Sequence, residues 1–174
     1  MVNAIARSRV RPERAEAIVR RIEELYGNND MAARPDVVCY NALLNAFGWS
    51  NSTKGKAKRC FDIYLDMRKL YESGRNLDVK PDIITCNSIL NACAFEDAVS
   101  ETESAIVMEV VAKTLEDFQS AAPNFGWPNF LTYSHVLLAI SRHMPFNDQR
   151  LKMAKSTFYQ VSSNAIHYCR GSIF

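Results

Sequence analysis

The chain contains no apolar run approaching the roughly 20 residues that cross a bilayer, so no membrane span is expected. It has no C-x-x-C pair, and its cysteines (Cys39, Cys60, Cys86, Cys93, Cys169) show no spacing with histidine that would hold zinc. It has no glycine-rich phosphate loop and no H-E-x-x-H. His135, His143 and His167 stand apart, without carboxylates at metal-ligand spacing. No segment alternates as a half-buried strand does. Charge of one sign is also scarce: the net charge is +2, which neither demands nor excludes a nucleic-acid partner. These absences argue against an enzyme and imply no cofactor and no metal. The cysteines are expected to be reduced, buried thiols acting as small hydrophobes, since Cys86 and Cys93 lie seven apart on one helical face. That usage points to a reducing, intracellular compartment.

What is present is repetition. "RPDVVCYNALLNAFG" (34–48) returns 46 residues later as "KPDIITCNSILNACA", with six of fifteen positions identical. A third version, "WPNFLTYSHVLLAIS", follows 47 residues after that. Helical spacing runs throughout. Ala15, Ile18, Val19 and Ile22 mark a helix over about 12–26, with proline in its first turn. Tyr40, Leu43, Leu44 and Phe47 mark 37–48, and Ala57, Cys60, Phe61, Tyr64 and Met67 mark 54–73. Cys86, Ile89, Leu90 and Cys93 mark 83–95, and Ser100 with Glu103 forms a capping box opening a fifth helix. Tyr133, Val136, Leu137 and Ile140 mark 130–143, and Asp148 caps a seventh helix with Leu151, Ala154 and Phe158 on its apolar stripe. Helices this short cannot each bury a face alone, whereas stacked pairs can. The expected fold is all-α, an α-solenoid of stacked antiparallel helical hairpins. The expected units are a partial repeat over 1–36, repeats over 37–82 and 83–129, and a divergent or terminal repeat over 130–174.

Three polar or aliphatic residues per short helix share a stripe at i, i+3, i+7, beside the core stripe. They are Val38, Asn41 and Asn45, then Ile84, Asn87 and Asn91, then Leu131, Ser134 and Leu138. Asp36, Asp82 and Asn129 each follow proline and precede a helix, which suits an N-cap worth about 1 kcal/mol. Interior asparagine is a mediocre helix former whose amide competes with backbone bonding. It therefore serves either as an exposed or inter-repeat hydrogen-bonding group or as a binding group.

A period of 46 to 47 by itself suggests a HEAT or armadillo array. The local text, Pro-Asp-Val-Val-x-Tyr-Asn-x-Leu-Leu answered by Lys80-Pro81-Asp82, resembles instead the pentatricopeptide repeat family, lengthened in "GWSNSTKGK", "LYESGRNLDV" and "QSAAPNFGW". The resemblance implies single-stranded RNA binding at about one base per repeat, each base read by two or three side chains. It implies that Asn41 pairs with Asp82 to read uracil, and Asn87 with Asn129 to read a pyrimidine, cytosine favoured. Asp36 and Ser134 are the unpaired base-reading positions, and Val38, Ile84 and Leu131 pack against base faces. An amide offers donor and acceptor to a base edge, and an aliphatic chain covers a base without choosing among them. Phosphate contacts are expected from Lys54, Lys56, Lys58 and Arg59, with Arg7, Arg9, Arg11 and Arg14 a second basic cluster.

The resemblance also places such a protein in a mitochondrion or plastid, supporting RNA processing, stability or translation. The Arg-rich start reaches Glu13 and Glu16 early, so no presequence is expected within this chain, and the cut-short first hairpin suggests a piece of a longer array. The competing expectation is a protein–protein interaction scaffold that binds no RNA.

Overall fold

The computed structural model describes residues 11–28, 30–50 and 54–171, of which the side chains of 31, 123 and 161–171 are left aside. Arg7 and Arg9 fall outside this range. Among the described residues there are helices and no strands: α1 (Pro12–Gly27), α2 (Val37–Gly48), α3 (Lys56–Glu72), α4 (Ile83–Ala94), α5 (Glu101–Ser120), the single turn α6 (Ala122–Phe125), α7 (Phe130–His143) and α8 (Asp148–Gly171). The architecture is the all-α stack of helical hairpins that the spacing implies. α2, α4 and α7 lie side by side in one layer, and α3 and α5 pack together in the other. Each short helix also packs on the long helices that flank it.

The short helices begin where a proline is followed by a capping side chain. Asp36 accepts the Cys39 N–H (2.8 Å). Asp82 accepts the Thr85 N–H (2.9 Å) while the Thr85 hydroxyl accepts the Asp82 N–H (3.1 Å). Asn129 and Thr132 repeat that reciprocal box. Ser100 caps α5 through Glu103 N–H (3.1 Å), but the Glu103 carboxylate turns to the Val99 N–H (2.7 Å) instead of closing the expected box. At α8 the cap is Asn147, which accepts the Arg150 N–H (2.9 Å), so Asp148 is already inside the helix.

The core runs continuously through both layers, with Leu44, Cys60, Tyr64, Met67, Ile89, Leu90, Val111, Phe118 and Ile140 almost fully enclosed. Cys60, Cys86 and Cys93 are free and buried, and burial pushes their thiols up in pKa, so they pack as protonated hydrophobes. α2 and α4 come close at the end of α2 because Gly48 has no side chain: a β-carbon there would lie 2.7 Å from Asn91 Nδ2.

The expected apolar stripe of the last helix is corrected. The stripe that α8 turns toward the protein is Arg150, Ala154 and Thr157, one residue out of phase with the expected one, so Leu151 and Phe158 are exposed. Short 3₁₀ turns at Met31–Ala33 and Leu77–Val79 precede α2 and α4. The buried Asn76 ties them together, donating to the Pro35 carbonyl (2.8 Å) and accepting from Arg34 Nε (3.3 Å).

Candidate nucleic-acid interface

The starts of α2, α4 and α7 form two seams. Just past each helix start an aliphatic side chain stands half in solvent: Val38 (52% exposed), Ile84 (52%) and Leu131 (50%). One turn further in, where the stripe was expected to lie off the core, Asn41 (7% exposed) and Asn87 (8%) are instead enclosed between neighbouring helices. Each asparagine reaches across its seam to the capping residues of the next helix.

At the first seam the Asn41 carboxamide is held at both ends. Its Nδ2 donates to Asp82 Oδ1 (3.1 Å), and its Oδ1 accepts the Thr85 hydroxyl (2.8 Å). At the second seam the Thr132 hydroxyl donates to Asn87 Oδ1 (2.7 Å), with Asn129 Oδ1 3.2 Å away as the alternative acceptor. Asn129 thus meets Asn87 through Thr132. Deeper in the first seam, Ser88 donates to Asn45 Oδ1 (3.2 Å). The matching residue of the second seam is His135, whose Nδ1 is buried without a hydrogen-bond partner and whose pKa burial lowers.

The structure therefore brings Asn41 to Asp82, and Asn87 to Asn129 by way of Thr132. It does not supply the remaining two positions with partners of that kind. Asp36 caps α2 beside Cys39, where the other two caps stand beside threonine. Ser134 turns back on its own helix, donating to the Phe130 carbonyl (2.9 Å).

The basic run is corrected. Lys56 is 2% exposed, with its ammonium on the Ser50 carbonyl (2.8 Å) and its pKa lowered by burial, so it cannot meet a phosphate. Lys58 pairs with Asp62 (3.1 Å), and Arg59 with Glu16. Lys54, Lys58 and Arg59 line a groove of about 500 Å³ that Glu13, Asp97 and Glu103 also line, a mixed field that does not favour a polyanion.

Sequence reading missed the side chains that organise these seams. Thr85 and Thr132 were visible as D-x-x-T and N-x-x-T at helix starts, a box signal that spoke only for capping. Glu96 left no local signal. It is buried and accepts the Gly55 (2.9 Å) and Ala57 (2.8 Å) N–H groups, capping the uncapped N-terminus of α3 from 39 residues away.

Among the described residues, no group of three or more His, Cys, Asp or Glu could hold a metal ion, and no helix is long and apolar enough to cross a membrane. Compared with known families, residues 22–94 match the model described as a pentatricopeptide repeat domain. This stretch is similar to pentatricopeptide repeats. The match takes in the end of α1 from Ile22, all of α2, α3 and α4, and the whole of the first seam. Pentatricopeptide repeat proteins generally bind RNA, are commonly organellar and are typically non-enzymatic. No curated protein and no solved structure matches the chain.

Proposed function

We propose that this chain binds single-stranded RNA through repeats spanning 37–82 and 83–129, with 1–36 and 130–174 as partial or divergent units. In this reading Asn41 with Asp82, and Asn87 with Asn129, face base edges, and Val38, Ile84 and Leu131 cover base faces. The observation that carries it is the Asn41–Asp82 contact (3.1 Å) lying between the half-exposed Val38 and Ile84, two apolar side chains placed to sandwich a flat ring. A carboxamide has two N–H donors and two acceptor lone pairs. The seam uses one of each on Asn41, so one of each is left for a base. The resemblance over residues 22–94 supports a pyrimidine preference and a mitochondrial or plastid setting in RNA processing, stability or translation.

The competing function is a protein-binding scaffold. It is favoured by the exposed Leu151 and Phe158 on α8, and by the way Asn41 and Asn87 already serve as struts. Titrating the purified chain at low salt against U/C-rich and purine-only RNA oligomers separates the two. RNA reading gives tighter binding to the pyrimidine oligomer, weakening as salt rises. That preference is lost in the double variant Asn41→Ala, Asn87→Ala with helical content unchanged. Equal affinity for both oligomers, or no binding to either, sinks the base-reading function.

A further inference from the structure

We infer that Thr85 and Thr132 are specificity-positioning residues: each hydroxyl fixes which end of the preceding asparagine's amide faces the binding surface. The inference rests on the base-reading function proposed above and deepens it. An asparagine presents either a donor or an acceptor to a base edge depending on a half-turn about its last bond, and the two orientations recognise opposite patterns. A reader of this kind needs something to choose between them.

The choice can be followed at the second seam from the hydrogen bonds and their lengths. The Thr132 hydroxyl accepts the Asn129 N–H (2.9 Å) and has a single hydrogen of its own to donate. Of its two acceptors, Asn87 Oδ1 at 2.7 Å is nearer than Asn129 Oδ1 at 3.2 Å, and the bond to Asn87 turns Nδ2 the other way. Asn129 spends its Oδ1 on the Thr132 N–H (3.1 Å), as a cap must.

The first seam carries the same hydroxyl and one further constraint. Thr85 accepts the Asp82 N–H (3.1 Å) and donates to Asn41 Oδ1 (2.8 Å), while the Asp82 carboxylate, which can only accept when ionised, takes Asn41 Nδ2 (3.1 Å). Asn41 is thus oriented twice over and Asn87 once. The equivalent position in α2 is Cys39, whose sulfur is a much weaker partner than a hydroxyl. Loss of the threonine hydroxyl is therefore tolerated better where Asp82 stands than where Asn129 does.

The test replaces each hydroxyl with a methyl of similar size. In Thr132→Val, the affinity ratio between the favoured pyrimidine and a purine opposite Asn87 falls about tenfold, the scale of one mismatched polar contact. In Thr85→Val the ratio opposite Asn41 falls only about threefold, because Asp82 still holds the amide nitrogen. Thr132→Ser, which restores the hydroxyl, returns the ratio to within about twofold of the parent, and thermal melts show that all variants fold. A readout without RNA accompanies these. In ¹⁵N-labelled protein the side-chain NH₂ signals of Asn87 are distinct and slowly exchanging, and in Thr132→Val they collapse toward those of an exposed asparagine. An unchanged base ratio in Thr132→Val overturns the inference. So do Asn87 signals that resemble exposed asparagines in the parent. If the parent shows no base preference, the RNA-reading function itself fails, while the NH₂ signals still report whether Thr132 locks Asn87.

Discussion

The two seams occupy matching positions and are built differently. Between α2 and α4 the partners are Asn41, Asp82 and Thr85 in front and Asn45 with Ser88 behind, closed by a glycine at Gly48. Between α4 and α7 they are Asn87, Asn129 and Thr132 in front, with His135 behind and Ala94 where the glycine stood. At the helix ends the contrast is between the two poles of a helix. Glu96 reaches into the N-terminus of α3, where a carboxylate complements the positive end of the dipole. Its counterpart in the next unit, His143, donates Nε2–H to the Cys93 carbonyl (3.0 Å) in the last turn of α4. One position in the repeat thus serves opposite helix poles, and the residue type follows the pole it meets. The seams share geometry, but the first rests on carboxylates and the second on amides and imidazoles.

The largest effect comes from breaking the element common to both. Leu90 of α4 is fully buried in the core, and Leu90→Ala should cost about 2–5 kcal/mol, read as a lower urea midpoint, with both seams loosened together. A change much smaller than this would show that α4 is not the shared support.

The outline of the fold was legible because punctuation and period agree over short distances. Proline followed by Asp36 or Asn129 placed the starts of α2 and α7, and the apolar spacing supplied their lengths. The 3₁₀ turns and α6 escaped because three or four residues carry too little periodicity, although Asp30 and Asn76 cap those turns just as Asp36 caps α2. The asparagines were found for their oddity but placed beside the core. Burial of Asn41 depends on Asp82 and Thr85, 41 and 44 residues away, and a single helix's spacing does not reveal such partners. The error at Lys56 has the same root. A lysine among lysines reads as surface until burial turns its ammonium onto the Ser50 carbonyl.

Next in size, Glu96→Ala removes the acceptor for two N–H groups at the start of α3 and should cost about 2–3 kcal/mol, since each buried donor left unpaired is costly. His143→Ala, which abandons a single carbonyl, should cost less than half of that by the same urea measurement. A reversed order would mean that the two positions are not counterparts.

A smaller exchange makes the seams alike. Asn129→Asp gives the second seam the carboxylate of the first and should gain about 0.5–1 kcal/mol from a charge-assisted bond to Asn87 Nδ2, and Asp82→Asn should lose a similar amount. On the proposed function the favoured base opposite each seam moves with the substitution, measured by competition between U- and C-substituted oligomers. Preferences that stay put would detach Asp82 and Asn129 from base reading.

The smallest effect separates the seams by pH. Burial lowers the pKa of His135 and of His143, whose bond to the Cys93 carbonyl partly opposes the shift, and both flank the second seam. A group held neutral in the fold binds its proton more readily when unfolded. Stability is therefore full above the ordinary imidazole value of about 6.5 and falls as pH drops from there toward the depressed folded values. Melting temperatures of the parent should decline over that window, and those of His135→Ser, which installs the Ser88 arrangement, should decline less. A parent whose melting temperature is flat across the window would contradict this account.

The bond from Thr85 to Asn41 also bears on how such an array can be cut and rejoined. A repeat taken as 37–82 begins after one cap and ends on the next, but the set of residues that defines one amide's orientation runs from Asn41 through Thr85 and straddles that boundary. A graft that moves residues 37–82 alone carries Asp82 with it and leaves the hydroxyl behind. The transplanted asparagine then takes its orientation from whatever residue follows the new junction. Interchangeable parts in this architecture must be cut after the third residue of the following helix.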